Sequence, residues 1–404
     1  MIFSEQMLLI KMSIRVLCIG DPHFTQDAYL EMDEFTKRTL ELIDKFKSET
    51  SGLHLVVVLG DILDRFERAH LTIHTQAMKW LHLVSLKCRL LILIGNHDRI
   101  NNNVFLSEES FFWACHHWPN VTVADTTKKL IINGFQFVGV PYVAPGRFAE
   151  ALDKIEGWKE SKAIFAHQEM KGCSLGIIRS ELGDPWSNSY PLLISGHIHE
   201  YERLGKNIIY VGTPRMKTFG DHKEKTVSLF TFNSKGDSDS KGDSSSDSKG
   251  SKGDSRNNSD SKGDSSSDSK GDSSSSSSEM WKEDKFSLEL PKKISVRLTV
   301  DQITTATDFL SLKDNLTGTL KIFVQGTAAE LSIGLKHPIV KHLKSLGVKI
   351  VPEEIAISLG MCRPEQVENI SRTELEKRIW DRLSDTPELF NIMKSLFGRV
   401  KLKI

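Results

Sequence analysis

An α/β architecture follows from three features of the sequence. Short apolar runs rich in β-branched residues recur along it, amphipathic stretches with helical spacing lie between several of them, and polar clusters of Gly, Asp, Asn and His stand directly after the runs. Together they predict an α/β sandwich with buried central strands, followed by a small α+β domain beyond a disordered low-complexity linker.

The elements follow in order. Strands are expected at Ile14–Ile19, Leu53–Leu59, Leu90–Ile94, Leu130–Val140, Ala163–Ala166, Leu192–Ile194 and Ile208–Val211, with helices at Leu30–Lys47 and Leu71–Leu86. Short connections, such as Val121–Val123 into Leu130–Ile132 and Gln136–Val140, imply mixed sheets. From Ser234 to Ser278 the chain is almost entirely Ser, Lys, Gly and Asp, with Ser-Lys-Gly-Asp recurring at 234, 240, 251, 261 and 269. Such a composition buries no apolar area to offset chain entropy, so 234–278 reads as a disordered linker, and the lack of glycine at every third position excludes collagen. Beyond it, strands are expected at Ser287–Leu290, Ile294–Val300, Thr319–Val324 and Val348–Val351, with helices at Pro338–Leu346 and in Ser371–Phe397. The expected organisation is an N-terminal extension (1–12), a first domain (13–233), the linker (234–278) and a second domain (279–404).

The 404 residues carry 53 basic and 53 acidic side chains. Neutrality excludes a polycation that coats nucleic acid by charge alone, so any nucleic-acid contact is local. The 5 cysteines are scattered and form no CxxC pair, which supports neither a disulfide framework nor a thiolate zinc site. No apolar run approaches the ~20 residues needed to span a bilayer. The first eleven residues include Glu5 and too short an apolar stretch for a signal peptide, and Met12 serves equally well as a start. An intracellular protein, cytoplasmic or nuclear, with no membrane contact is the expectation.

The chemistry stands at the strand ends. In order come Asp21-x-His23, Gly60-Asp61-x-x-Asp64, Gly95-Asn96-His97-Asp98, Ala166-His167 and Gly196-His197-x-His199. Any one pair would be unremarkable as a turn or cap. Five ordered clusters of metal-ligand types, each beyond the carboxyl end of a strand, point to one site.

This series resembles the calcineurin-like metallophosphoesterase superfamily across most of residues 13–233, and implies a metallophosphoesterase-type β-sandwich flanked by helices. Within it, Gly212-Thr213-Pro214-Arg215 through Phe219-Gly220-Asp221 resembles the SbcD branch of DNA double-strand-break repair nucleases, whose capping domain the second domain would match. The resemblance implies two divalent ions, Mn²⁺ foremost, with Fe²⁺ or Zn²⁺ also suited to mixed imidazole and oxygen ligands. By resemblance, Asp61 bridges them, Asp21, His23 and His199 complete the ligands of the first ion, and Asn96, His167 and His197 those of the second ion. His97 is left to face the substrate phosphate as the catalytic residue, with Asp98 as its orienting partner and Asp64 in support. Arg215, Lys217 and Lys223 are placed for phosphate contact. DNA as substrate, a homodimer and an SbcC-like ATPase partner binding the C-terminal helical region are further implications. Competing readings are a protein phosphatase, nucleotidase or small-molecule phosphodiesterase of the same superfamily, and a non-catalytic scaffold. His116 and His117 read as a helix terminus, and the loop from Gly172 to Ser189 as one that could overhang the site.

Overall fold

A computed structural model describes residues 13–65, 70–176, 178–222, 224–234, 280–312 and 319–355. The expected helical stretch at Ser371–Phe397, the extension 1–12, most of the 234–278 segment and Lys223 lie outside the described residues.

The first six-stranded sheet takes its parallel centre from β1 (Ser13–Ile19), β2 (Leu55–Val58), β3 (Leu90–Leu93) and β4 (Val121–Ala124). Helices α1 (Tyr29–Ser48) and α2 (Leu71–Lys87) make the first two crossovers. The second sheet follows: β5 (Lys128–Ile132), β6 (Phe135–Val140), helix α3 (Phe148–Leu152), β7 (Ala163–His167), a small hairpin of β8 (Ser174–Leu175) and β9 (Ile178–Arg179), then β10 (Leu192–Gly196), β11 (Glu202–Leu204) and β12 (Ile208–Tyr210). Its order is β11-β12-β10-β7-β6-β5, parallel from β12 to β6 and antiparallel at both edges.

Strand periodicity explains the layering. Along β1, Val16 and Cys18 face the second sheet, meeting Phe137, Phe165 and Ile194, whereas Leu17 and Ile19 face Phe35 and Trp80 of the helices. Both faces of the central strands are therefore buried, as their unbroken apolar runs require. A third apolar layer, with Phe148 and Trp158, covers the outer face of the second sheet. The result is an α/β sandwich of two mixed sheets flanked by helices.

Strands β13 (Val227–Asn233) and β14 (Trp281–Phe286) extend the first sheet beyond β1, both antiparallel. The boundary expected at 279 is thereby moved. Strand β14 belongs to the first body, because Leu288 and the half-buried Phe286 and Leu290 pack into its core. The Asn233 amide donates to the Met280 carbonyl across 3.1 Å, so the described chain on either side of residues 235–279 is paired within one sheet. Strand β14 is anchored by the buried Glu283, which accepts from Ser228 Oγ (2.7 Å), the Tyr201 hydroxyl (2.9 Å) and Arg203 (2.8 Å). The stretch Ser287–Leu290 forms no strand.

The second body contains parallel strands β15 (Ile294–Thr299), β16 (Leu320–Gly326) and β17 (Lys349–Glu354), with helices α4 (Val300–Thr305), α5 (Ala328–Gly334) and α6 (Pro338–Ser345). Thr299 with Gln302 and Thr327 with Glu330 form capping boxes that start α4 and α5. Its core gathers Leu298, Phe309, Ile322, Val324, Ile339 and Leu343. Among the described residues no helix is long and apolar enough to cross a membrane.

Candidate metal centre

The clusters converge because β1, β2 and β3 are adjacent and parallel, while β7 and β10 lie side by side in the facing sheet. Their carboxyl ends open at one edge of the sandwich. The His23 amide donates to the Asp61 carbonyl (3.0 Å) and the His97 amide to Asp61 Oδ1 (2.9 Å), tying the first three clusters together. The His197 amide donates to the Asp21 carboxylate at 2.9 Å, joining the last cluster to the first.

The backbone is strained at this edge. His23, Asp61 and His197 have φ of 49°, 46° and 80°, values that non-glycine residues seldom adopt. Close packing also requires glycine at Gly95, where a Cβ would fall 2.2 Å from Asp61 Oδ1.

Two groups of donors form around Asp61. On one side, Asp21, His23 and His199 converge, with His23 Nε2 3.0 Å from His199 Nε2 and 3.9 Å from Asp61 Oδ2. On the other, Asn96 Oδ1 lies 3.0 Å from His167 Nε2 and 3.1 Å from His197 Nδ1, and His167 Nε2 is 3.3 Å from Asp61 Oδ1. The two oxygens of Asp61 thus face different groups. His167 Nδ1 donates to the Leu59 carbonyl (2.7 Å), which turns its Nε2 inward.

Electrostatics favour a cation here. Asp21 and Asp61 are buried, and their ion-pair partners among the described residues are imidazoles alone. Burial raises the Asp21 carboxyl to about 7. At Asp61 burial acts upward too, but His167, His23 and His97 outweigh it and hold the carboxyl below its usual range. Burial disfavours charge on His167, yet Asp61 and Asp21 prevail and raise it to about 9. Burial keeps His23 well below the ordinary imidazole value, lowers His197 to about 3 with the help of His167, and lowers His199 to about 4 with the help of Lys217. Three imidazoles held neutral, His23, His197 and His199, together with His167, whose extra proton a bound cation would replace between the two buried carboxylates, suit divalent metal ions.

His97 is 30% exposed at its side chain and stands at the mouth, its Nε2 3.7 Å from Asp61 Oδ2, so that it forms a further convergent trio with His23 and Asp61. Its orienting partner differs from expectation. His97 Nδ1 bonds the Asp64 carbonyl (2.7 Å), whereas the buried Asp98 accepts from the amides of Ile62 (3.1 Å), Leu63 (3.0 Å) and Gly95 (3.1 Å). Asp98 is therefore a brace between two loops. The Asp64 carboxylate meets Lys217 Nζ at 2.8 Å and His23 Nδ1 at 3.5 Å.

Arg215 also departs from expectation. It is buried, donating to the carbonyls of Pro22 (3.0 Å) and His23 (2.6 Å) and meeting Glu31 at 3.4 Å, so it fixes the loop carrying His23 and has no cation left for substrate. Lys217, partly exposed, remains at the edge of the centre. One neighbour escaped sequence reasoning: Tyr142, whose ring lies 5.8 Å from His197 and 6.3 Å from His167. It stands two residues beyond β6, a position that no motif marks. His116 pairs with Asp125 outside the centre.

The calcineurin-like phosphoesterase pattern matches residues 14–201. The protein named "Putative phosphoesterase 244L" of Invertebrate iridescent virus 6 is 42% identical over 221 residues, which cover 54% of this chain and 76% of that protein. The chain belongs to the calcineurin-like phosphoesterase family. "Putative phosphoesterase 078R" of Invertebrate iridescent virus 3 is 37% identical over 225 residues, 55% of this chain and 63% of that protein. A solved archaeal phosphodiesterase aligns with 54% of this chain and 92% of its own at 14% identity and a TM-score of 0.28. This phosphoesterase is a metal-dependent phosphoric-ester hydrolase, and its clustered His and Asp side chains fit the two divalent ions that its family binds.

Proposed function

We propose that this phosphoesterase is an SbcD-like DNA nuclease, acting in repair or recombination and using two Mn²⁺ ions. The observation that carries the reading is a cleft of about 720 Å³ between the two bodies, lined by Lys217, Lys293, Lys321 and Lys349 together with Phe219 and Asp64. Asp64 links the cleft to the centre through the His97 contact. Lys217 and Lys293 meet Asp64 and Glu31, whereas Lys321 and Lys349 carry no ion pair among the described residues, and this basic lining suits a chain of phosphates while the protein as a whole is neutral.

In this reading Asp21, His23, Asp61 and His199 hold one ion, and Asp61, Asn96, His167 and His197 the other. Bound there, the pair supplies an acidified water and neutralises charge on the phosphoryl oxygens. The residues of the chain do the rest. Asp61 sets the spacing of the two donor groups, and Leu59 keeps His167 in its ligating tautomer. Asp64 holds Nδ1 of His97, which leaves Nε2 to pass a proton to the phosphoryl or leaving oxygen. A homodimer and an SbcC-like ATPase partner belong to the same proposal.

The test is Mn²⁺-dependent cleavage of single-stranded, blunt and hairpin DNA, run beside a phosphopeptide and cyclic nucleotides. DNA cleavage is the expected result. Turnover confined to the phosphopeptide or cyclic nucleotides would replace the nuclease by another phosphoesterase.

A further inference from the structure

Tyr142 is held as firmly as the donors beside it. Its amide donates to the Ile94 carbonyl (2.9 Å), immediately before the Gly95-Asn96-His97 turn, and its own carbonyl accepts from Arg99, just after that turn. The main chain of Tyr142 is thus clamped to both ends of the loop that carries Asn96 and His97. The side chain is 8% exposed, and its ring is tilted 36° against His197 and set at 71° to His167. Both imidazoles belong to the second donor group.

The hydroxyl has no hydrogen-bond partner among the described residues, and it is not among the fully buried unpaired atoms, so it touches solvent. A phenol with an apolar body so firmly packed and a free polar tip would ordinarily be paired. His97 packs on the other donor group, its ring 5.3 Å from His23. The two side chains are thus each packed on a histidine of a different donor group.

We propose that Tyr142 is a second substrate-contacting residue, whose hydroxyl donates a hydrogen bond to a non-bridging oxygen of the phosphoryl group from beside His167 and His197. The inference rests on the phosphoesterase reading of the centre and adds a residue to it. The phenol is a donor throughout the neutral range, and a hydrogen bond to a charged oxygen is stronger than one between neutral groups.

Tyr142→Phe keeps the ring against His197 and removes only the hydroxyl. Two readouts apply to the Mn²⁺-loaded full chain: affinity for inorganic phosphate by calorimetry, and kcat and KM for bis-p-nitrophenyl phosphate, with bound Mn²⁺ and melting temperature as controls. The expected result is a phosphate affinity weakened about 10-fold and a kcat reduced at least as much, with metal content and melting temperature retained. Equal phosphate affinity in the two proteins, or no phosphate binding by the wild type, overturns the assignment. A wild type that binds phosphate more tightly than the variant but hydrolyses no diester would leave the Tyr142 contact standing and remove the proposed function.

Discussion

The carboxylate of Asp61 accepts a hydrogen bond from the backbone amide of His97 across 2.9 Å. The contact is made by the main chain, so the position of Asp61 does not depend on the imidazole that His97 presents at the mouth. Asp98, one residue on, fastens the same loop to Ile62 and Leu63. Position and chemistry are thus separated within three consecutive residues.

His97→Ala should accordingly keep its metal while losing turnover. A fall in kcat of about 10²-fold or more is expected if the imidazole donates to the phosphoryl or leaving oxygen. Metal analysis beside diester hydrolysis decides it, since undiminished turnover would remove His97 from the mechanism.

Arg215 acts on the centre through the carbonyls of Pro22 and His23. Arg215→Lys retains a charge but cannot span both carbonyls with a planar fork. Metal affinity should weaken about 10-fold, as is usual when a group supporting a ligand is lost, and stability should fall by about 2 kcal/mol. Metal titration and urea unfolding measure the two effects, and a variant that loses only KM would return Arg215 to a substrate-binding role.

In metal-free protein the stability should decline with alkali. His167 is raised from 6.5 to about 9 once Asp61 and Asp21 have overcome the effect of burial, so the folded chain holds this proton more tightly than the unfolded chain. Its contribution is complete below pH 6.5 and is lost as pH rises through about 9. Urea unfolding in chelator across that range should show the decline, and His167→Asn should flatten it. An equal slope in the variant would assign the effect elsewhere.

Excision of residues 235–279, with a two-residue Asn-Gly turn joining Ser234 to Met280, should leave fold and hydrolysis intact, because Asn233 and Met280 are already hydrogen-bonded neighbours. Thermal unfolding and diester turnover should match the full chain. A drop in melting temperature of more than a few degrees would mean that β13 and β14 need the intervening residues.

Much of the centre was legible because its ligands end strands whose both faces are buried, and such strands announce themselves as apolar runs. The strand read at Leu90–Ile94 and the one found at Leu90–Leu93 place Asn96 and His97 alike. Strand β13 was not anticipated, since its place beside β1 is a matter of antiparallel pairing across two hundred residues. Strand β14, with the charged sequence Trp281–Phe286, gave no alternating signal and is held in part by the buried Glu283. Nor does sequence reveal whether an arginine is free or enclosed. Arg215 faces carbonyls 193 and 192 residues away, and only the fold brings them within reach. Pro352 interrupts no ladder that matters, because β17 lies at the edge of its sheet.

In the proposed centre a pair of metal ions shares Asp61. Mn²⁺ stoichiometry measured with diester hydrolysis, for wild type and Asp61→Asn, tests it most directly. Two ions per chain are expected in the wild type, with hydrolysis that follows their occupancy, and Asp61→Asn should lose both at least one ion and turnover. A single ion supporting full turnover, or hydrolysis that survives chelation, would contradict it.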